Sequence, residues 1–284
     1  MPIMLTLWKS LLVIKLLIFL MLVSQSVNAS TLTNKLYNEN TSQKAAPLLR
    51  LAVAANFAPA MTKLVADFSN KYHIKVQIIS GASGFLFQQL MHGAPFDVFL
   101  SADALRPRML VEANIARASS LQTYSVGSIA LWSASWPIKQ SLPSLNSAYG
   151  DLLNSNQRLA IANPQTAPYG QAAKQILVYN KLWQPLSKRL ITGININQTF
   201  QQVRSQSVHF GLIAKSQLVQ NDLVGINIPV CQHQPIIQQL VILKASKKQL
   251  VAKQFIDFLL SESSQIKLSK MGYQPVASLG SNQC

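Results

Sequence analysis

Carboxylates are scarce in this chain. Its 284 residues include nine Asp and Glu, against 25 Lys and Arg and four His. A cation site draws on clustered carboxylates, imidazoles or thiolates. Here His73, His92, His209 and His233 each stand apart from acids in sequence. Cys231-Gln232-His233 brings two soft ligands together, too few to hold a metal. Asp97 and Asp103, which bracket an apolar stretch, suit capping or hinge hydrogen bonds. Neither a G-x-S-x-G elbow nor an H-E-x-x-H helix is present, which removes those hydrolase templates. No catalytic residue is assigned, although an enzyme built from distant residues stays open at this point. Cysteine is equally sparse. Cys231 and Cys284 are the only two, and an even number suits one bridge in an oxidising compartment. Two thiols are the alternative.

Long apolar runs are also missing. The uninterrupted run at Leu16–Val23 falls far short of the ~20 residues a spanning helix needs. No later segment is longer and comparably apolar. With Lys9 and Lys15 ahead of that run and Val27-Asn28-Ala29 behind it, residues 1–29 read as a cleaved secretory signal peptide. No Cys follows the cut to carry a lipid anchor. Residues 30–48, rich in Ser, Thr and Asn, read as a disordered leader. The mature protein is therefore expected to be soluble and periplasmic. The formal charge of +16 invites a nucleic-acid reading. However, the basic residues are scattered, with pairs only at Lys188-Arg189 and Lys247-Lys248 and no interleaved aromatics. No nucleic-acid partner is expected; the charge serves solubility and draws in small anions.

What the chain does have is alternation. Strands are expected at 48–55, 74–80 and 94–102, with helices at 56–72, 84–92 and 106–113 between and after them. Asn56 takes the N-cap position of the first helix. Near 124–135 a second, similar unit begins. It has strands at 157–163, 188–194 and 208–214, and helices at 169–180 and 197–205. A strand at 235–244 and helices at 247–260 and 264–271 close the chain, the last stopping at Gly272, a natural C′ glycine. The class is α/β. Two lobes are expected, 49–126 plus 231–284 as the first and 127–230 as the second. Ligands in such folds bind outside the carboxyl ends of strands, which places a cleft between the lobes.

The stretch VQIISGASGFLFQQL (76–90) turns from strand to helix through Ser80-Gly81-Ala82-Ser83-Gly84. It lacks the Lys-Ser/Thr pair of a phosphate loop and the third glycine of a dinucleotide loop. Like junctions occur at Ala55-Asn56, Pro168-Tyr169-Gly170 and Asn195-Ile196. Each presents a helix start, with free N–H donors at the positive end of the dipole. Plain N-capping accounts for Asn195 by itself; four such junctions in two matching units point to an anion.

RLAVAANFAPAMTKLVADF, SGASGFLFQQLMHGAPFDVFLSADALRP, ANPQTAPYGQAAKQIL, GININQTFQQV and HFGLIAKSQL occur in one order. Over about residues 50–273 this string resembles the periplasmic molybdate-binding proteins of ABC importers. The resemblance implies a class II periplasmic binding protein fold of two lobes. It also implies a bare molybdate or tungstate dianion as ligand, no cofactor, a monomer, and an inner-membrane permease as partner. Carried over by position, it implies contacts from the Ala55 amide, Asn56, Ser83, Tyr169 and the Ile196 amide, with no protein ligand to molybdenum itself. Some relatives place a Tyr where this chain has Ala214, so the chain resembles the branch that uses Asn and Tyr. A binder of another tetrahedral anion such as sulfate, or a periplasmic enzyme acting on small anions, is the alternative.

Overall fold

The structure is a computed structural model that describes residues 48–136 and 141–274. The expected signal peptide and nearly all of the expected leader lie outside these residues, as does Cys284. The chain runs β1 (Leu48–Ala54), α1 (Ala58–Tyr72), β2 (Lys75–Gly81), α2 (Ser83–Met91), β3 (Val98–Leu100), α3 (Leu105–Glu112) and β4 (Gln122–Gly127). Then follow β5 (Ile129–Trp132), α4 (Leu145–Asn154), β6 (Leu159–Ala162), α5 (Pro168–Tyr179), α6 (Trp183–Leu186) and β7 (Leu190–Gly193). After these come α7 (Ile196–Arg204), β8 (Phe210–Ala214), α8 (Lys215–Val219) and β9 (Ile226–Asn227). The chain closes with β10 (Ile236–Ile242), α9 (Gln249–Leu260) and α10 (Glu262–Lys270).

Two five-stranded sheets result, ordered β2-β1-β3-β10-β4 and β7-β6-β8-β5-β9. This is the two-lobed α/β architecture that the resemblance implies. Crossover strands β1, β2 and β3 pair in parallel, as do β6, β7 and β8, because a helix intervenes each time. β10 is antiparallel to both its neighbours. The chain leaves the first sheet through Ser128, between β4 and β5, and re-enters it at β10.

Apolar stripes decide which helices cover which face. Met61, Leu64 and Phe68 of α1 meet Phe255 of α9 on one face of the first sheet. Leu86, Phe87 and Leu90 of α2 pack with Phe99 and Leu110 on the other. In the second sheet Trp132 stacks on Phe200 of α7 with ring centroids 5.3 Å apart. Gly272 follows the last helix with φ +88, the left-handed conformation that glycine adopts without strain.

Three expectations change. The third strand spans three residues, 98–100, rather than 94–102. The chain is already paired at Leu48, the last residue of the expected leader, which lies opposite Lys75. Helix α4 went unread because Gly150 and several polar residues dilute its apolar stripe, yet it buries Ala148, Tyr149 and Leu152.

Candidate functional site

The carboxyl ends of β1 and β2 deliver the first pair of candidates. The Ala55 N–H donates to the Gly81 carbonyl at 2.9 Å and continues the parallel ladder by one residue. The amide that the resemblance assigned to an anion is therefore engaged within the sheet in this conformation. This extra rung also shifts the helix start. Phe57, not Asn56, takes the N-cap of α1, and it offers no side-chain cap. Asn56 is freed from capping. Its Nδ2 donates to Gln238 Oε1 at 2.8 Å, its carbonyl accepts from the Tyr273 hydroxyl at 2.6 Å, and it is 1% exposed.

Ser83 is the first residue of α2, behind an N-cap, Ala82, that has no polar side chain. Its Oγ accepts the Ala102 N–H at 3.0 Å. A hydroxyl used as acceptor retains its own proton to donate. The next amide, Gly84, donates to the Thr166 carbonyl at 2.8 Å. That bond ties the start of α2 to the loop that leads into α5.

Tyr169 is the second residue of α5, whose N-cap Ala167 is again without a capping group. The ring is buried, and its hydroxyl lies so close to the end of β4 that a Cβ on Gly127 would fall 2.3 Å away. Burial, with Tyr273 nearby, raises the phenol well above its ordinary value, while the Asn56 side chain acts in the opposite direction. Tyr169 is therefore neutral and carries a proton at physiological pH. Ile196, also buried, opens α7. There Asn195 Oδ1 accepts from the amides of Asn197 and Gln198, both at 3.0 Å. Asn195 is thus an N-cap and nothing more is needed to explain it.

These positions converge. Ala55, Tyr169 and Ile196 share one continuous buried cluster with Ala82, Ala102, Ala214 and Ile236, drawn from both sheets. Asn56 reaches Tyr169, and Ser83 directly follows Ala82. Three helices, α1, α2 and α5, begin here without side-chain caps, so no capping group offsets their dipole ends, although the Gly84 and Gly170 amides are already engaged by backbone carbonyls. Nearby charge is internally paired: Arg106 forms an ion pair with Asp103, whose Oδ1 also accepts the Arg106 amide at 3.0 Å. Asp97 is structural as well, accepting the Arg50 amide at 2.7 Å and the Ser246 hydroxyl at 2.6 Å.

Three residues here escaped sequence reasoning. Gln238, Tyr124 and Tyr273 form a buried polar layer behind Asn56. The Tyr124 hydroxyl donates to the Ser101 carbonyl at 2.9 Å and approaches Gln238 Oε1 at 3.3 Å. The available signal was the Gln238-Gln239 pair inside the apolar run of β10. Among the described residues no cluster of three or more His, Cys, Asp and Glu could hold a metal ion. No helix among them is long and apolar enough to cross a membrane. Cys231 makes a bonded or electrostatic contact of its own. Burial lowers the neighbouring His233 below the usual imidazole range.

Asn56, Ser83 and Tyr169 are uncharged hydrogen-bonding groups of a kind suited to a small anion. Residues 49–274 match the family of bacterial extracellular solute-binding proteins. The chain belongs to that family. The molybdate-binding protein ModA of Rhodobacter capsulatus is 35% identical to this solute-binding protein over 225 residues, 78% of this chain and 86% of that one. ModA of Azotobacter vinelandii is 34% identical over 231 residues, 79% and 89% of the two chains. The solved Azotobacter vinelandii periplasmic molybdate-binding protein superposes with a TM-score of 0.73 at 30% identity, covering 80% of this chain and 99% of its own.

Proposed function

We propose that this solute-binding protein captures molybdate, and tungstate with it, in the periplasm and delivers the ion to the permease of an ABC importer. It performs no catalysis and acts as a monomer. The reading is carried by one observation: the Asn56 side chain reaches Tyr169 of α5, and the start of α2, which carries Ser83, is bonded through Gly84 to the loop before Tyr169, beside helix starts whose N-caps lack polar side chains. The named function of the relatives supports it.

The physics favours a fully deprotonated tetrahedral dianion. Hydrogen bonds to a charged acceptor contribute about 1.5–3 kcal/mol each, so several neutral donors hold two charges without a lysine or arginine. Ordering and desolvation offset much of that sum. None of the five assigned positions offers a carboxylate to receive a proton. A protonated anion such as hydrogen phosphate would bury an unpaired O–H, which is costly. Sulfate shares the charge and shape of molybdate, so cavity size must separate them. Residues 49–126 plus 231–284 and residues 127–230 would move as two lobes about the crossovers, and their closure on the ion would create the surface the permease reads.

Titration calorimetry on the chain from residue 30 onward, with molybdate, tungstate, sulfate and phosphate, tests the reading. Binding of the first two, weakened about 10- to 100-fold but still measurable in Ser83→Ala and Asn56→Ala, is the expected result. Heat from sulfate alone would reassign the ligand, and unchanged binding in both variants would relocate the pocket.

A further inference from the structure

Strand β10 is buried along almost its whole length and, apart from Gln238 and Gln239, aliphatic, with Ile236, Leu240, Val241 and Ile242 in the core. Gln238 sits in its middle at 0% exposure. A leucine would fill that volume with no polar group to desolvate. The glutamine is also incompletely satisfied: its Nε2 has no hydrogen-bond partner among the described residues. Buried polar groups are normally paired, and an exception calls for a reason other than packing.

Its Oε1 supplies the reason. Successive strand residues face opposite sides of a sheet, so Gln238 and Gln239 diverge; the register shift opposite them leaves Tyr124 of β4 as the extra residue, with its hydroxyl 3.3 Å from Gln238 Oε1. Gln239 turns to Thr123, donating to its hydroxyl at 3.0 Å. Gln238 instead reaches Asn56, 182 residues away in sequence, and accepts from its Nδ2 at 2.8 Å. An asparagine amide carries two N–H protons and can rotate about its last torsion. Anchoring one proton fixes the amide plane and the direction of the other.

We propose that Gln238 is a positioning residue for the anion: it takes one Asn56 N–H so that the second is held ready for the ligand. This rests on the proposed function, with Asn56 as a ligand contact. It goes further by assigning a role to a residue that need not touch the ion. The buried Nε2 is the cost of an acceptor at this place.

A double-mutant cycle read by molybdate calorimetry tests it. Gln238→Leu should weaken binding about tenfold or more in the otherwise wild-type protein, and by less than about twofold in the Asn56→Ala background. Equal losses in both backgrounds, or no loss in either, would overturn the inference while leaving the function intact. Absence of binding by the wild type would overturn the function and this inference together. Nitrogen-labelled wild-type protein gives a second readout that needs no variant. One Asn56 side-chain amide proton should shift on adding molybdate, and the one facing Gln238 should move far less. Two unmoved protons, or two equal shifts, would also overturn it.

Discussion

The Gly84 amide and the Thr166 carbonyl are joined by a 2.8 Å hydrogen bond that links the first turn of α2 to the loop before α5. It is a contact between elements of the two sheets, and it leaves no room for a side chain. A Cβ on Gly84 would lie 2.8 Å from the Thr166 oxygen and 2.9 Å from its Cα, both backbone atoms that cannot swing aside.

Gly84→Ala should therefore hold the two lobes apart without disturbing either sheet. The expected outcome is a loss of molybdate affinity of more than about tenfold. The free energy of unfolding in urea should change by about 1 kcal/mol or less, since opening the lobes relieves the clash. Calorimetry and small-angle scattering with saturating ligand check it: the variant should stay expanded where the wild type contracts.

Ser83 contributes one hydroxyl and is otherwise replaceable by alanine in the first turn of a helix. Loss of a single hydrogen bond to a charged acceptor, about 1.5–3 kcal/mol, predicts a 10- to 100-fold weaker complex for Ser83→Ala. The Ala102 amide also loses its acceptor, so a modest stability decrease accompanies the change and is measured by chemical unfolding of the ligand-free protein.

Four tyrosines have phenols raised by burial, Tyr124, Tyr149, Tyr169 and Tyr273. Their unfolded counterparts ionise near pH 10. Below that pH both states hold the protons and stability is unaffected. Above it the unfolded chain releases protons that the folded chain keeps, so stability falls as pH rises. Urea midpoints should be level between about pH 8 and 9.5 and drop clearly by about pH 11. Tyr149→Phe, at a hydroxyl without a protein partner, should lessen that drop.

Asp97 ties β1 to the connection between β10 and α9 through the Arg50 amide, the Ser246 hydroxyl and Lys248 Nζ at 3.2 Å. Asp97→Ala strands the first two as buried groups without an acceptor. Each such loss costs about 1–3 kcal/mol. The variant should be destabilised by about 2–4 kcal/mol in urea. Its molybdate affinity should match the wild type wherever it remains folded, which separates this carboxylate from the site.

Much of this fold is legible in the chain because each β-to-α junction repeats the same local grammar. The run that ends at Ala54 is apolar on both sides, as a central parallel strand must be, and the stripe Met61, Leu64, Phe68 has helical spacing. Asn56 was legible as a junction residue but not in its role. Asparagine before a helix is most often a cap, and only the long-range pairing of Ala55 with Gly81 shows that the chain is still extended one residue further on. Gln238 was illegible for the same reason, since its meaning lies in a partner 182 positions away. Helix α8, five residues long, is too short to leave a periodic signal.

The place of β10 between β3 and β4 has a consequence for the order of assembly. A chain delivered from its N-terminus presents every strand of the second sheet by Asn227, before the strand that completes the first sheet begins at Ile236. Until then β3 and β4 have an empty lane between them and exposed edges. The lobe that starts first is thus the last to close, and a polypeptide halted between Asn227 and Ile236 carries one sheet with all its strands and one still open.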